Sequence, residues 1–163
     1  MQHNAVENMI QGLNILVVDS NAYMRKLTRM MLTNLGAKLV FEAVDGLAAL
    51  ETIRTCDPDV MFLDWDMPIL DGMEVIRIVR STGVFPRPNL PIIMLTDRGQ
   101  GLCVMEALRA GVHEFLLKPT SPQLLRKRLM LIVVRPRSMV KLGDFYVPEP
   151  RRIPMASELA RLS

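Results

Sequence analysis

The sequence predicts an α/β chain built as a doubly wound parallel sheet with a C-terminal extension. Two observations carry that prediction. Five short apolar runs alternate with five segments of helical periodicity, and strand–helix repeated five times calls for a parallel sheet covered on both faces. Four of the runs are also near-continuously apolar, as strands buried on both faces are.

The runs fall at 14–18, 38–43, 60–63, 91–95 and 114–117. The first, third, fourth and fifth read as central strands. The second, Lys38-Leu39-Val40-Phe41-Glu42, alternates and reads as an edge. Residues 21–35 carry Met24, Leu27, Met31 and Leu35 near the helical period, and Gly36 follows as a stop. Residues 45–55, 72–80 and 100–110 pass the same test, the last ended by Gly111. The fifth helix, 121–134, tolerates Pro122 in its first turn. Residues 1–12 are polar and read as a flexible segment before a domain at 13–134. From 135 to 163 the pattern dissolves into a Pro- and Arg-containing arm, in which Met155, Leu159 and Leu162 could share one face of a short terminal helix.

Composition narrows the function classes. Half of the 163 residues are apolar and 23% are charged, ordinary for a globular protein. No apolar run is long enough to span a bilayer and the start lacks an apolar secretory core, so the expectation is a cytoplasmic protein without membrane insertion. Cys56 and Cys103 lack metal-ligand spacing and read as free thiols. The net charge of +3 resides in the arm: residues 1–134 hold 14 basic and 14 acidic side chains, the arm six and three. An arm this short and Pro-interrupted cannot supply a DNA-reading helix, so specific nucleic-acid binding is not expected.

The chemistry lies at the strand ends. The four apolar strands run out at Asp19, Asp64, Thr96 and Lys118. In an open parallel sheet these ends share one edge, where ligands bind. Polar residues end any strand that reaches water, but two carboxylates, a hydroxyl and an ammonium together suit one reaction, phosphoryl transfer to a carboxylate. Asp64 would be the nucleophile. Asp19 beside it would hold Mg²⁺, a hard cation content with one or two carboxylates plus waters. Lys118 and Thr96 would contact the phosphoryl oxygens.

These residues resemble a known family. Val17-Val18-Asp19, Leu63-Asp64-Trp65-Asp66-Met67-Pro68 with Asp71-Gly72, Leu95-Thr96 and Leu117-Lys118-Pro119 look like the signature of response-regulator receiver domains, across about residues 13–134. The resemblance implies a flavodoxin-like (βα)5 sheet in the strand order 2-1-3-4-5. It implies Asp64 as phosphoacceptor, served by a histidine kinase or a histidine phosphotransfer protein. Mg²⁺ would be held by Asp19, Asp64 and the backbone carbonyl of Asp66. Thr96 and Phe115 would form the switch. The protein would be a stand-alone response regulator of a two-component phosphorelay, signalling to a downstream protein by contact, with no enzymatic activity beyond self-phosphorylation and self-dephosphorylation. The arm also looks like that on certain free-standing bacterial receivers.

Two positions depart from the family pattern. Ser20 stands where a second acid is usual and leaves a weaker or indirect metal ligand. Asp97 stands where a very small residue is usual and adds bulk and like charge beside an incoming phosphoryl group. Both favour the alternative of a phosphorylation-independent pseudo-receiver module. Asp66 and Arg98, each two residues past a site residue, are expected to pair across the crevice mouth and slow acyl-phosphate hydrolysis. A phosphatase of the haloacid-dehalogenase type, which Asp64-Trp65-Asp66 also resembles, would need a further acidic pair after the lysine. Only the isolated Asp144, Glu149 and Glu158 follow.

Residues 101–105 and 129–134 are more apolar than one buried face requires. Either the arm of the same chain covers them, or a homodimer forms through the fourth helix, fifth strand and fifth helix, with Phe145, Tyr146 and Ile153 contributing from the arm. His113 and Arg126-Lys127-Arg128 read as solvated, and Trp65 as packing over the crevice.

Overall fold

The computed structural model describes residues 2–150. Its sheet has five parallel strands, β1 (Asn14–Val18), β2 (Leu39–Ala43), β3 (Val60–Leu63), β4 (Ile92–Thr96) and β5 (Glu114–Leu117), in the order β2-β1-β3-β4-β5. Among the described residues six helices accompany them: α1 (Gln2–Gln11), α2 (Ala22–Asn34), α3 (Gly46–Cys56), α4 (Gly72–Arg80), α5 (Gly101–Ala110) and α6 (Pro122–Val134). Side-chain caps start four of the helices. Asn21, Asp45, Asp71 and Ser121 each accept from the backbone N–H three residues on, and Asp71 with Glu74 closes a reciprocal capping box.

Strand alternation splits the core into two layers. Leu16, Val18, Met61, Leu63, Ile92 and Met94 face the layer holding residues of α3, α4 and α5. Ile15, Val17, Val60, Phe62, Ile93 and Leu95 face the layer holding residues of α2 and α6. This double coverage explains the continuous apolar runs. β5 is the exception, since it forms the second edge of the sheet rather than lying inside it, and its Leu117 is half-exposed.

The termini depart from expectation. Residues 2–11 form a helix rather than a flexible segment; α1 buries Ile10 and packs on α6. The arm holds an antiparallel hairpin of β6 (Met139–Leu142) and β7 (Phe145–Pro148), turned at Gly143, whose positive φ suits a residue without a Cβ. Proline spacing hid this hairpin because its pairing is with itself and with its own domain. Phe145 bridges to Ser81, and the N–H of Thr82 donates to Asp144. The proposed terminal helix of Met155, Leu159 and Leu162, and Ile153, lie outside the described residues.

The hairpin lands beside a buried arginine. Arg80, fully buried at the end of α4, donates twice to the carbonyl of Gly111 and once to that of Pro88. Burial pulls its pKa down to about 9, which still leaves it charged at neutral pH. His113 is buried against it, its Nδ1 3.3 Å from Arg80 and from the N–H of Ile92, and is not solvated as expected. Arg128 likewise turns from solvent to pair with the buried Glu114.

Candidate functional site

The ends of β1, β3, β4 and the residue after β5 meet at one edge of the sheet, as parallel strands in register require. Asp19 and Asp64 are both buried there. The Lys118 ammonium joins them, with Nζ 2.6 Å from Asp19 Oδ2 and 3.0 Å from Asp64 Oδ2. Thr96 is fully buried at the end of β4 and accepts weakly from the N–H of Arg98 at 3.4 Å.

Each acid is held by groups around it. Asp19 Oδ1 accepts from the N–H of Asn21 at 2.9 Å, and its carbonyl accepts from Arg25, which also pairs with Glu42. Asp64 Oδ1 accepts from the N–H of Trp65 at 2.7 Å. Gly72 is required just behind it: a Cβ at that position would lie 2.3 Å from the carbonyl oxygen of Asp64, inside any contact distance. Arg25 was missed at the sequence level, since nothing in helical periodicity tells an arginine that turns inward from one that faces water. Gly72 stood within the quoted motif, but its steric reason is visible only in three dimensions.

Burial pushes the Asp64 carboxyl above its ordinary pKa, against the pull of Lys118. Burial works to lower Lys118, but the hydrogen bonds and charges of Asp19 and Asp64 prevail and hold it above its usual value. The ammonium therefore stays charged while Asp64 becomes a more basic carboxylate, and greater basicity favours nucleophilic attack.

Around the mouth, Asp66 and Arg98 do pair. The guanidinium binds the carboxylate through Nε at 2.9 and 3.1 Å and Nη2 at 2.6 Å, and its hydrogen bonds hold the Asp66 carboxyl below its usual range. The same guanidinium lies 5.2 Å from the centre of the Trp65 ring, and Trp65 is buried. Ser20 and Asp97 are both exposed. Phe115 is half-buried, opposite Met94 in the sheet and packed against the layer of α3, α4 and α5.

The donor set fits a hard divalent cation. Two carboxylates lie within reach of one ammonium, and both offer oxygen, the ligand Mg²⁺ prefers. The Asp66 carboxylate is occupied by Arg98, so its carbonyl is what that residue has to offer. No cluster of three or more His, Cys, Asp or Glu that could hold a metal ion occurs among the described residues.

A five-stranded doubly wound sheet carrying two acids and a lysine at its carboxyl edge defines a class of phosphoryl-accepting signalling domains. The sequence model of the response regulator receiver domain matches residues 15–130, and the chain belongs to that family. It is 36% identical over 122 residues to the chemotaxis protein CheY1 of Helicobacter pylori, covering 74% of this chain and 97% of that one. Among solved structures, the receiver domain of the Francisella response regulator 1452 superposes with a TM-score of 0.69 at 29% identity, covering 76% of this chain and 98% of that one. The receiver domain of a sensor histidine kinase from Pseudomonas aeruginosa gives 0.65 at 27%, covering 76% and 98%, and holds a magnesium ion in its active-site cleft. Family membership sets the phosphatase alternative aside. No helix among the described residues is long and apolar enough to cross a membrane.

Proposed function

We propose that this protein is a response regulator whose receiver domain accepts a phosphoryl group on Asp64 and passes the signal by protein contact. The observation that carries this reading is the Lys118 ammonium hydrogen-bonded to both Asp19 and Asp64 in a buried crevice.

In the proposed reaction, a carboxylate oxygen of Asp64 attacks the phosphorus of a phosphohistidine on a kinase or phosphotransfer protein. An acyl phosphate forms, the P–N bond breaks, and the imidazole leaves with the electron pair. Lys118 turns from bridging the acids to neutralising the new phosphoryl oxygens, and Thr96 offers its hydroxyl. Asp19, Asp64 and the Asp66 carbonyl would hold Mg²⁺, which supplies charge neutralisation at the transferring group. The response passes through Thr96 and Phe115 to the face formed by α5, β5 and α6. That face exposes Leu102 (86%), Leu117 and Leu124, an apolar set suited to a second copy or a downstream protein.

The test is intact-mass analysis after incubation with acetyl phosphate and Mg²⁺. The expected result is a gain of one phosphoryl group, absent in Asp64→Asn. No gain from either small donors or a phosphorylated histidine domain would replace this reading with that of a phosphorylation-independent interaction module. Sedimentation of Leu102→Glu beside the parent checks the dimer, which should weaken if this face forms it.

A further inference from the structure

Far from the phosphoacceptor edge, the hairpin and the domain together leave an apolar groove of about 820 Å³. One wall is the carboxyl-terminal half of α5 and the start of β5, with Met105, Leu108 and Val112. The other is the hairpin, with Val140, Leu142 and Val147. Met105 is 48% exposed, Leu108 41% and Leu142 62%, so the groove is lined by large apolar side chains facing outward. A concavity of this size and character fits a set of several apolar side chains.

The chain itself indicates the occupant. Pro150, the last described residue, already lines the groove, and thirteen residues follow it. That stretch opens with Arg151-Arg152 and then carries Ile153, Met155, Leu159 and Leu162, the last three at spacings of four and three. These spacings place apolar groups along one stripe of a helix, the form in which a peptide enters a groove. A tether of almost no length gives a docking segment a high effective concentration, so same-chain occupancy is favoured over capture of another copy at ordinary protein concentrations.

We infer that residues 153–162 dock in this groove of their own chain, seating Met155, Leu159 and Leu162 against Met105, Leu108, Val140 and Val147.

The experiment is amide hydrogen exchange by mass spectrometry on the full chain at low micromolar concentration, comparing the parent with Leu159→Glu and with the conservative Leu159→Met. In Leu159→Glu, amides of residues 105–112 and 140–147 should exchange at least tenfold faster while those of β1 and β3 stay unchanged, and Leu159→Met should behave as the parent. Equal exchange in all three proteins would overturn the inference. Protection that rises with protein concentration, with a dimer in sedimentation that Leu159→Glu abolishes, would overturn the same-chain assignment in favour of exchange between two copies.

Discussion

Arg98 grips both carboxylate oxygens of Asp66 while its guanidinium plane reaches over the ring of Trp65, so one side chain ties together the residues on either side of the crevice mouth. The pair is exposed and should add little to stability. Its position suggests a role in limiting water access to Asp64. Arg98→Ala is expected to leave the melting temperature nearly unchanged and to shorten the phosphoryl lifetime on Asp64 several-fold. Decay of radiolabelled phosphoprotein measures this, and an unchanged rate would leave the pair without a gating role.

Asp64 carries a raised pKa, so the folded state binds its proton more tightly than the unfolded chain does. Ionising it therefore costs stability as pH climbs from the unfolded carboxylate value, near 3.8, through the folded one. In buffer free of divalent cations, Asp64→Asn should melt a few degrees above the parent at pH 7. The gain should shrink as pH falls back through that window. Thermal melts across the range would show it; an equal gain at every pH would point to packing instead.

Gly72 has no room for a methyl group against the Asp64 carbonyl. Gly72→Ala must push α4 away from the end of β3, and is expected to cost roughly 1–3 kcal/mol in urea unfolding, as overpacking does. It should also slow phosphorylation, because the displaced strand end carries the proposed acceptor. A variant with parent stability and parent phosphorylation rate would contradict the steric argument.

Arg80 supplies donors to two loop carbonyls, that of Gly111 in the buried interior and that of Pro88 nearer the surface. Arg80→Ala removes those donors and leaves a cavity, and is expected to destabilise the protein by about 3 kcal/mol or more. Because the same corner receives the hairpin, proteolysis near Gly143 should become faster in this variant. Urea denaturation and limited trypsin digestion measure the two effects separately.

Much of the fold was legible because a parallel sheet buried on both faces writes itself as unbroken apolar runs, such as Val60-Met61-Phe62-Leu63, separated by helical periodicity. The strand ends were legible for a related reason: Asp19, Asp64, Thr96 and Lys118 each interrupt an apolar run, and one topological rule places them on one edge. The pairing of Asp66 with Arg98 followed from equal offsets past two adjacent strands.

Other features had no local signal. The apolar run of β5 reads as an interior strand by itself; only the strand order implied by the family resemblance placed it at the sheet edge. Helix α1 is too polar to announce itself; it packs on α6 and buries Ile10. His113 looks like a turn residue in sequence and becomes a buried partner of Arg80 only because α4 and the turn before β5 end side by side. The sequence by itself determined which residues stand at the strand ends and in what sheet, since periodicity and strand ends are local properties. Only the tertiary structure decided which polar groups are buried and what they touch, because desolvation and hydrogen-bond partners are set by segments distant in the chain, as Lys118 and Asp19 show across 99 residues.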